Sequence, residues 1–505
     1  MIITALIPII WLLVALCIFR LPMHIVCPIG LLLTAVLAFF FWNEAPIEIG
    51  SAALEGVLFG LWPILLVIVA AMILYKYSVA SSGMKRIQEL LSNISTDKRV
   101  LVLILAWGFG GFLEGIAGFG TPVLIPGSIL VSLGFNPFFA VVLCLVANTA
   151  ATPFATMGIP VETLAGVTGL DANLIAGDVV VQLFIPCLII PFILVVLTGR
   201  SLKAIKGVFL ITLISGLSFA LPSFLIARFV GPALPTLVGS VAAIVCTALA
   251  GRFLYKDTED NKKYQIPKLP VSTENRISIF SACLPFLIVL ILVVSVNMIP
   301  VLSEALKALN TTAMIYTGEG GRPLTFAWVA TPGVFILLAT VISCVIQRQS
   351  LKKLAKIAFE VLLSSKRMFL MILSIVAMAK IMYYCGMTDA IALALISLLG
   401  GAYPLIAPLI GAFGVFITGS DTTCCVLFGN IQYSAATALG LEPTWITASN
   451  LSGAAMGKMI SPQSIAVALG VGGIEGRAGE ILMKTIGIGI VITLLIGVLV
   501  YLGSY

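Results

Sequence analysis

Three charges stand isolated in long apolar stretches. Glu114 is the single charged residue of 100–161, Asp421 is the single one of 390–441, and Lys458 interrupts the apolar run that follows. A charge at the middle of a bilayer costs about 2.5–3.5 kcal/mol even on insertion scales, so such residues are normally paired or functional. Two acids and one base leave one carboxyl without a counter-charge. In a low-dielectric setting that group takes up a proton readily, as a proton-coupling residue must, and Glu114 and Asp421 are both candidates. Lys458 carries a compact ammonium, a point charge suited to holding a small carboxylate. Lys380, near the end of its own apolar run, is expected to reach outward to the interface.

The segments around these charges are rich in groups that could replace the hydration shell of a small anion. Glu114 opens the run Glu114-Gly115-Ile116-Ala117-Gly118-Phe119-Gly120-Thr121-Pro122, and Asp421 sits in Gly419-Ser420-Asp421-Thr422-Thr423. Glycines such as Gly118 and Gly120 permit tight turns and close approach of the backbone to a ligand. Thr121, Ser420 and Thr422 begin the segments that leave those turns, where free amides can meet an anion. Two further polar runs break apolar segments. One is Asn148-Thr149-Ala150-Ala151-Thr152-Pro153. The other starts at Asn450-Leu451-Ser452-Gly453 and continues to Ser461-Pro462-Gln463. Proline inside a helix frees a carbonyl one turn earlier. Asn148, Thr149, Thr152, Asn450, Ser452, Ser461 and Gln463 are therefore candidate binding residues.

Such residues need a frame of apolar helices. The chain has 505 residues, 60% hydrophobic and 10% charged, with a mean hydropathy of +1.18. Soluble domains carry about 25% charge. This composition excludes a soluble enzyme, a nucleic-acid binder and a disordered chain, and points to an all-α polytopic membrane protein. A single histidine, His24, and ten scattered cysteines without a CxxC pair offer no haem or zinc site; no cofactor and no metal are expected. The first apolar run, 1–19, lacks a basic leader and reads as a retained span. Apolar runs of about 20 residues give about 12 transmembrane helices. Alternating them from an inside loop at Arg20 places 23 of the 28 Lys and Arg residues on one side, taken as the cytoplasm. Only Arg228, Lys307 and Arg322 fall on the other side, and Lys380 and Lys458 lie within apolar segments. That division requires 100–134 and 404–438 to be re-entrant hairpins of opposite sense.

The two halves of the chain can be superposed. Gly83-Met84 matches Gly386-Met387, Gly115 matches Gly419, and Leu133-Gly134 before Pro137 matches Leu439-Gly440 before Pro443. Asn148 to Pro160 has the length of Asn450 to Pro462, with Met157 and Met459 at equal places. The loop charges orient the two copies oppositely, the inverted-repeat design of secondary transporters, whose sites lie at broken helices near the midplane. The expected layout is N-terminal spans over 1–50 and a first repeat over 51–200, with hairpin 100–134 and broken helix 137–168. Linking spans follow over 201–365, with a cytoplasmic loop 252–276. The second repeat covers 366–505, with hairpin 404–438 and broken helix 443–469.

At these stretches the sequence resembles the lactate permease family of bacterial lactate and glycolate transporters. The resembling runs are Gly111-Phe112-Leu113-Glu114-Gly115-Ile116-Ala117-Gly118-Phe119-Gly120, Asn148-Thr149-Ala150, Gly419-Ser420-Asp421-Thr422 and Gly457-Lys458-Met459-Ile460-Ser461-Pro462-Gln463-Ser464. The resemblance implies proton symport of 2-hydroxymonocarboxylates across the plasma membrane, and membership of a wider group of two-hairpin ion transporters that are often dimeric. Its partners would be a small carboxylate, a proton, the lipid bilayer and a second copy of the chain. A gluconate or dicarboxylate carrier of the same architecture stays open as an alternative, although a dicarboxylate calls for more than one cation. A cation/proton antiporter, which would use Glu114 and Asp421 as ion ligands and need no lysine, also stays open.

Overall fold

The structure is a computed structural model. It describes residues 2–505 apart from 16–18, 20, 117, 119, 256–257, 267–276, 322, 472–473 and 475–476. The expected inside loop at Arg20, the outside Arg322 and much of the 252–276 loop thus lie outside the described residues.

Eleven helices among the described residues are long and apolar enough to cross a membrane, beside shorter apolar helices such as Thr121–Ser132 and Pro332–Ile346. Helices dominate because a segment in lipid must satisfy its own backbone hydrogen bonds. One small antiparallel hairpin, Asn310–Ala313 with Leu324–Ala327, caps an end of the molecule.

The helices pack in two groups. A frame is formed by Met23–Phe41, Pro46–Ala80, Ile279–Met298, Pro332–Ile346, Leu351–Ser364 and Lys366–Tyr384. Pro46–Ala80 bends at Trp62, whose backbone is extended (φ −135°, ψ 110°). Gly56 lies directly on the backbone of Ala377, so these two helices touch without side chains between them. Beside that contact Lys380 Nζ sits 2.7 Å from Glu55 Oε1, and the Tyr384 hydroxyl donates to Glu55 at 2.8 Å. Lys380 therefore does not reach outward. It is buried because an acid from the neighbouring helix meets it.

The second group, the core, holds Lys98–Ile116, Thr121–Ser132, Pro137–Thr168, Ala172–Gly199, Phe209–Phe229, Pro235–Leu254 and most of the chain from Tyr403 onward. Lys98–Ile116 is wholly buried, whereas about a third of Pro235–Leu254 is. The first is enclosed by protein, and the second leaves leucines and valines facing outward, as a lipid-facing helix does. At its start, Arg99 is buried with every guanidinium nitrogen bonded. It pairs with Asp97 (2.7 Å) and donates to Asn261 and to the carbonyls of Ala204 and Lys206. One cation thus fastens three loops at one end of the core.

Two helix–turn–helix units shape the interior. Lys98–Ile116 turns through Gly118 and Gly120 into Thr121–Ser132. Tyr403–Thr418 turns at Gly419 and Ser420 into Asp421–Leu439. Each is followed by an interrupted helix. Pro137–Asn148 passes through a 3-10 stretch, Thr149–Phe154, into Ala155–Thr168. Pro443–Lys458 stops, and Pro462–Ala468 follows after Ser461. Tyr403–Thr418 packs on Pro443–Lys458 along a seam where a Cβ on Gly411, Gly453 or Gly457 would run into the facing backbone.

Candidate functional site

The two turns and the two helix breaks meet around one cavity of about 250 Å³, closed from the frame side by Met23 and Met371. Drug-sized sites run from about 300 Å³ upward, so this one suits a molecule of a few heavy atoms.

The second half supplies an ion pair. Gly419 ends Tyr403–Thr418 in left-handed backbone (φ +68°), which lets the chain reverse at once. Ser420 caps the next helix by accepting from the Thr423 amide, and Asp421 is that helix's first residue. Lys458 is the last residue of Pro443–Lys458. An acid at a helix N-terminus and a base at a helix C-terminus are each favoured by the aligned peptide dipoles. Lys458 Nζ lies 3.3 Å from Asp421 Oδ2 and donates to the Gly419 carbonyl at 3.1 Å. Its side chain is 19% exposed against 3% for Asp421, and both residues line the cavity.

The first half supplies an acid without a cation. Glu114 Oε2 accepts from Asn148 Nδ2 at 2.9 Å, and among the described residues no basic group lies within 4 Å of it. Oε1 turns toward Gly118, where a Cβ would meet it at 3.6 Å. Asn148 Oδ1 is buried without a partner. The wall continues through Ala155 into three residues of left-handed backbone: Thr156 (φ 48°, ψ 55°), Met157 (58°, 41°) and Gly158 (80°, 15°). Such backbone costs about 1–2 kcal/mol for each residue that bears a Cβ. The turn is held by its surroundings. Met157 is buried, and Gly158 sits so close on the Pro232 carbonyl that a Cβ would overlap it.

Of the residues singled out in the sequence, the cavity gathers Glu114, Gly118, Gly120, Asn148, Ser420, Asp421, Thr422, Lys458 and Gln463. The others are placed away from it. Thr149 and Thr152 return their hydroxyls to carbonyls of their own helix, and Thr121 does the same to Gly118. Asn450 faces the Cys424 sulfur, Ser452 donates to Gln182 at 2.7 Å, and Ser461 caps Pro462–Ala468. Polar side chains on an interrupted helix share no single face, so some reach the lumen and others turn back to the protein.

Thr156, Gly419, Ser464, Met23 and Met371 line the cavity without having been singled out as binding residues. Thr156 had a signal: it is the eighth residue after Asn148, as Lys458 is the eighth after Asn450. Met23 and Met371 had none, because they come from another helical group.

Eleven long apolar helices among the described residues, and a small cavity between them that holds one ion pair and a carboxyl outside that pair, define a multi-pass membrane protein. The chain belongs to the L-lactate permease family, whose model matches residues 1–505. It is 46% identical to an L-lactate permease of Streptococcus iniae over 88% of this chain and 93% of that one. It is 35% identical to the glycolate permease GlcA of Escherichia coli, over 99% and 95%, and 32% identical to an L-lactate permease of Bacillus subtilis, over 99% and 95%. Among solved structures the fold is similar to that of MtrF from Neisseria gonorrhoeae, described as illuminating a class of antimetabolite efflux pumps. The TM-score is 0.50 at 15% identity, over 95% of this chain and 94% of that one.

Proposed function

We propose that the protein carries lactate and related 2-hydroxymonocarboxylates, glycolate among them, across the plasma membrane together with a proton. The names of the family's lactate and glycolate permeases support the substrate class. The observation that carries the mechanism is the unequal division of charge in the cavity: Lys458 is engaged by Asp421, and Glu114 by an amide alone. Lys458 then holds the substrate carboxylate through its ammonium, with Ser420, Thr422 and Gln463 beside it. Asp421 neutralises it in the empty carrier. Glu114 carries the proton. A carboxyl at membrane depth with no cation in direct contact is best accommodated in its neutral form. The Asn148 amide can turn over, donating to the ionised acid or accepting from the protonated one.

Formal charge explains the coupling. With Glu114 ionised, the empty site holds one net negative charge. The substrate anion alone would make it two, in a medium where each charge is penalised. Anion and proton together restore the value of the empty site, so the loaded carrier crosses under the electrostatic conditions of the empty one. Among the described residues Lys458 is the one cation lining the cavity, which suits a monocarboxylate better than a dicarboxylate.

In this reading the two helix–turn–helix units are re-entrant hairpins of opposite sense within inverted repeats, 51–200 and 366–505, and the carrier works as a homodimer. The expected result is accumulation of labelled L-lactate in vesicles with an imposed pH gradient, abolished by a protonophore. Uptake driven by a sodium gradient and indifferent to pH would overturn the proton assignment.

A further inference from the structure

Threonine in a membrane helix normally returns its hydroxyl to the carbonyl four residues back. Thr34, Thr168, Thr212, Thr340 and Thr493 all do so here. Thr156 does not. Its left-handed backbone (φ 48°) turns the side chain out of the helix, and among the described residues its hydroxyl makes no hydrogen bond with the protein. A β-branched residue at positive φ is a steric outlier, and outliers held by their surroundings gather at functional positions.

The hydroxyl is aimed at one place. A Cβ built on Gly118 would lie 3.0 Å from Thr156 Oγ1 and 3.6 Å from Glu114 Oε1, so both oxygens face the open space that this glycine leaves. Thr156 also holds the position in the first half that Lys458 holds in the second, and both line the same cavity. The lining thus holds a cation together with a hydroxyl and a carboxyl that face one point. A 2-hydroxymonocarboxylate carries the matching pair on adjacent carbons.

We propose that Thr156 is the residue that selects for the 2-hydroxyl of the substrate, an assignment that rests on the transport reading above. With the substrate carboxylate at Lys458, its hydroxyl reaches the Gly118 side. There it accepts from the Thr156 Oγ–H and donates to Glu114 Oε1, a hydroxyl being donor and acceptor at once. The left-handed turn keeps the Thr156 hydroxyl away from its own helix carbonyls and available to the substrate. A substrate lacking the 2-hydroxyl leaves both protein oxygens without that partner, the situation in which polar sites discriminate most strongly.

The test is counterflow of labelled L-lactate in proteoliposomes of the full-length protein at equal pH on both sides, competed by unlabelled lactate, glycolate or propionate. Counterflow needs no proton gradient, so it separates this assignment from proton coupling. For the wild type, propionate, which lacks only the hydroxyl of lactate, should compete more weakly than lactate or glycolate. Thr156→Val keeps the shape and removes the hydroxyl. It should weaken lactate and glycolate about five- to tenfold, the loss of one neutral hydrogen bond, and leave propionate unchanged. Thr156→Ser should restore the preference to within about twofold. Thr156→Gly accepts the left-handed turn without strain, guards against misfolding of the valine variant, and should show the same loss of preference. A lactate-to-propionate ratio unchanged in both Thr156→Val and Thr156→Gly, with or without a general loss of activity, overturns the proposal. So does a wild type that does not distinguish the two acids. A wild type that exchanges none of these acids overturns the transport reading itself.

Discussion

The two halves of the molecule line one cavity by different electrostatic means. The second half places Asp421 at a helix start and Lys458 at a helix end, 3.3 Å apart, so each charge has both a partner and a favourable dipole. The first half places Glu114 beside an amide and a hydroxyl, with no cation within 4 Å among the described residues. The backbone differs in the same sense. After Lys458 the chain continues through ordinary right-handed and extended conformations, Met459 (φ −68°) and Ser461 (φ −65°). After Ala155 it passes through three left-handed residues pressed against Pro232. Of the two segments, then, one holds an ion pair at a helix end and the other a carboxyl and a hydroxyl beside a left-handed turn. Similar helix breaks do not impose similar chemistry, and the proposed symport of an anion with a proton calls for that inequality.

The largest effect that would break this comparison is expected from Lys458→Ala. It should abolish both counterflow and pH-driven accumulation of lactate, because it removes the anion's counter-ion. It also strands buried Asp421, and breaking a buried pair from one side costs about 3–5 kcal/mol. The double variant Lys458→Ala/Asp421→Asn should recover stability in a thermal melt and still fail to transport. Near-normal lactate affinity in the single variant would place the carboxylate elsewhere.

Glu114→Gln should have a narrower effect. Accumulation along a pH gradient should be lost and lactate/lactate counterflow should persist, since glutamine stands for the permanently protonated acid. If this variant still concentrates lactate, the proton rides on Asp421 or another group, and the division between the halves falls.

The frame offers a contrasting pair. Lys380 and Glu55 are closer than Lys458 and Asp421, 2.7 Å against 3.3 Å, but they join two frame helices away from the cavity. Lys380→Met should lower the melting temperature, by the same stranding argument, while the lactate-to-propionate preference of the folded fraction stays at the wild-type value. A changed preference would make this pair part of the site.

The smallest functional effect is expected from single cysteines placed in surface loops of a cysteine-free background. Transport should be unaffected and only labelling should differ. An impermeant thiol reagent added to intact cells should reach cysteines in 300–324 and not those in 252–276. The reverse would invert the orientation and, with it, the direction each half faces.

Much of the molecule was legible without coordinates because lipid imposes a simple rule on composition. A chain 60% hydrophobic and 10% charged must be a bundle of apolar helices, and any charge left inside them is conspicuous. Glu114, Asp421 and Lys458 were identifiable on that ground alone, and all three line the cavity. The broken segments were visible as polar, glycine and proline residues within apolar runs. The sequence could not say which acid meets Lys458. Asp421 and Glu114 are both distant from it along the chain, and their pairing depends on which turn lies against which helix end. It could not separate Asn148, which reaches Glu114, from Asn450, which faces Cys424. A shift of one residue on a helix rotates a side chain by about 100°, and packing decides where it points. The Glu55–Lys380 pair escaped notice because Glu55 comes from a different helix of the frame. The left-handed turn at Thr156 was hidden for a stronger reason. Local preference opposes it, and only burial of Met157 and the contact of Gly158 with Pro232 sustain it. The sequence by itself thus determined the solvent this protein lives in and which charges that solvent makes costly. The tertiary structure alone decided how those charges are paired and which hydroxyl comes to lie near Glu114, because both depend on contacts between segments far apart in the chain.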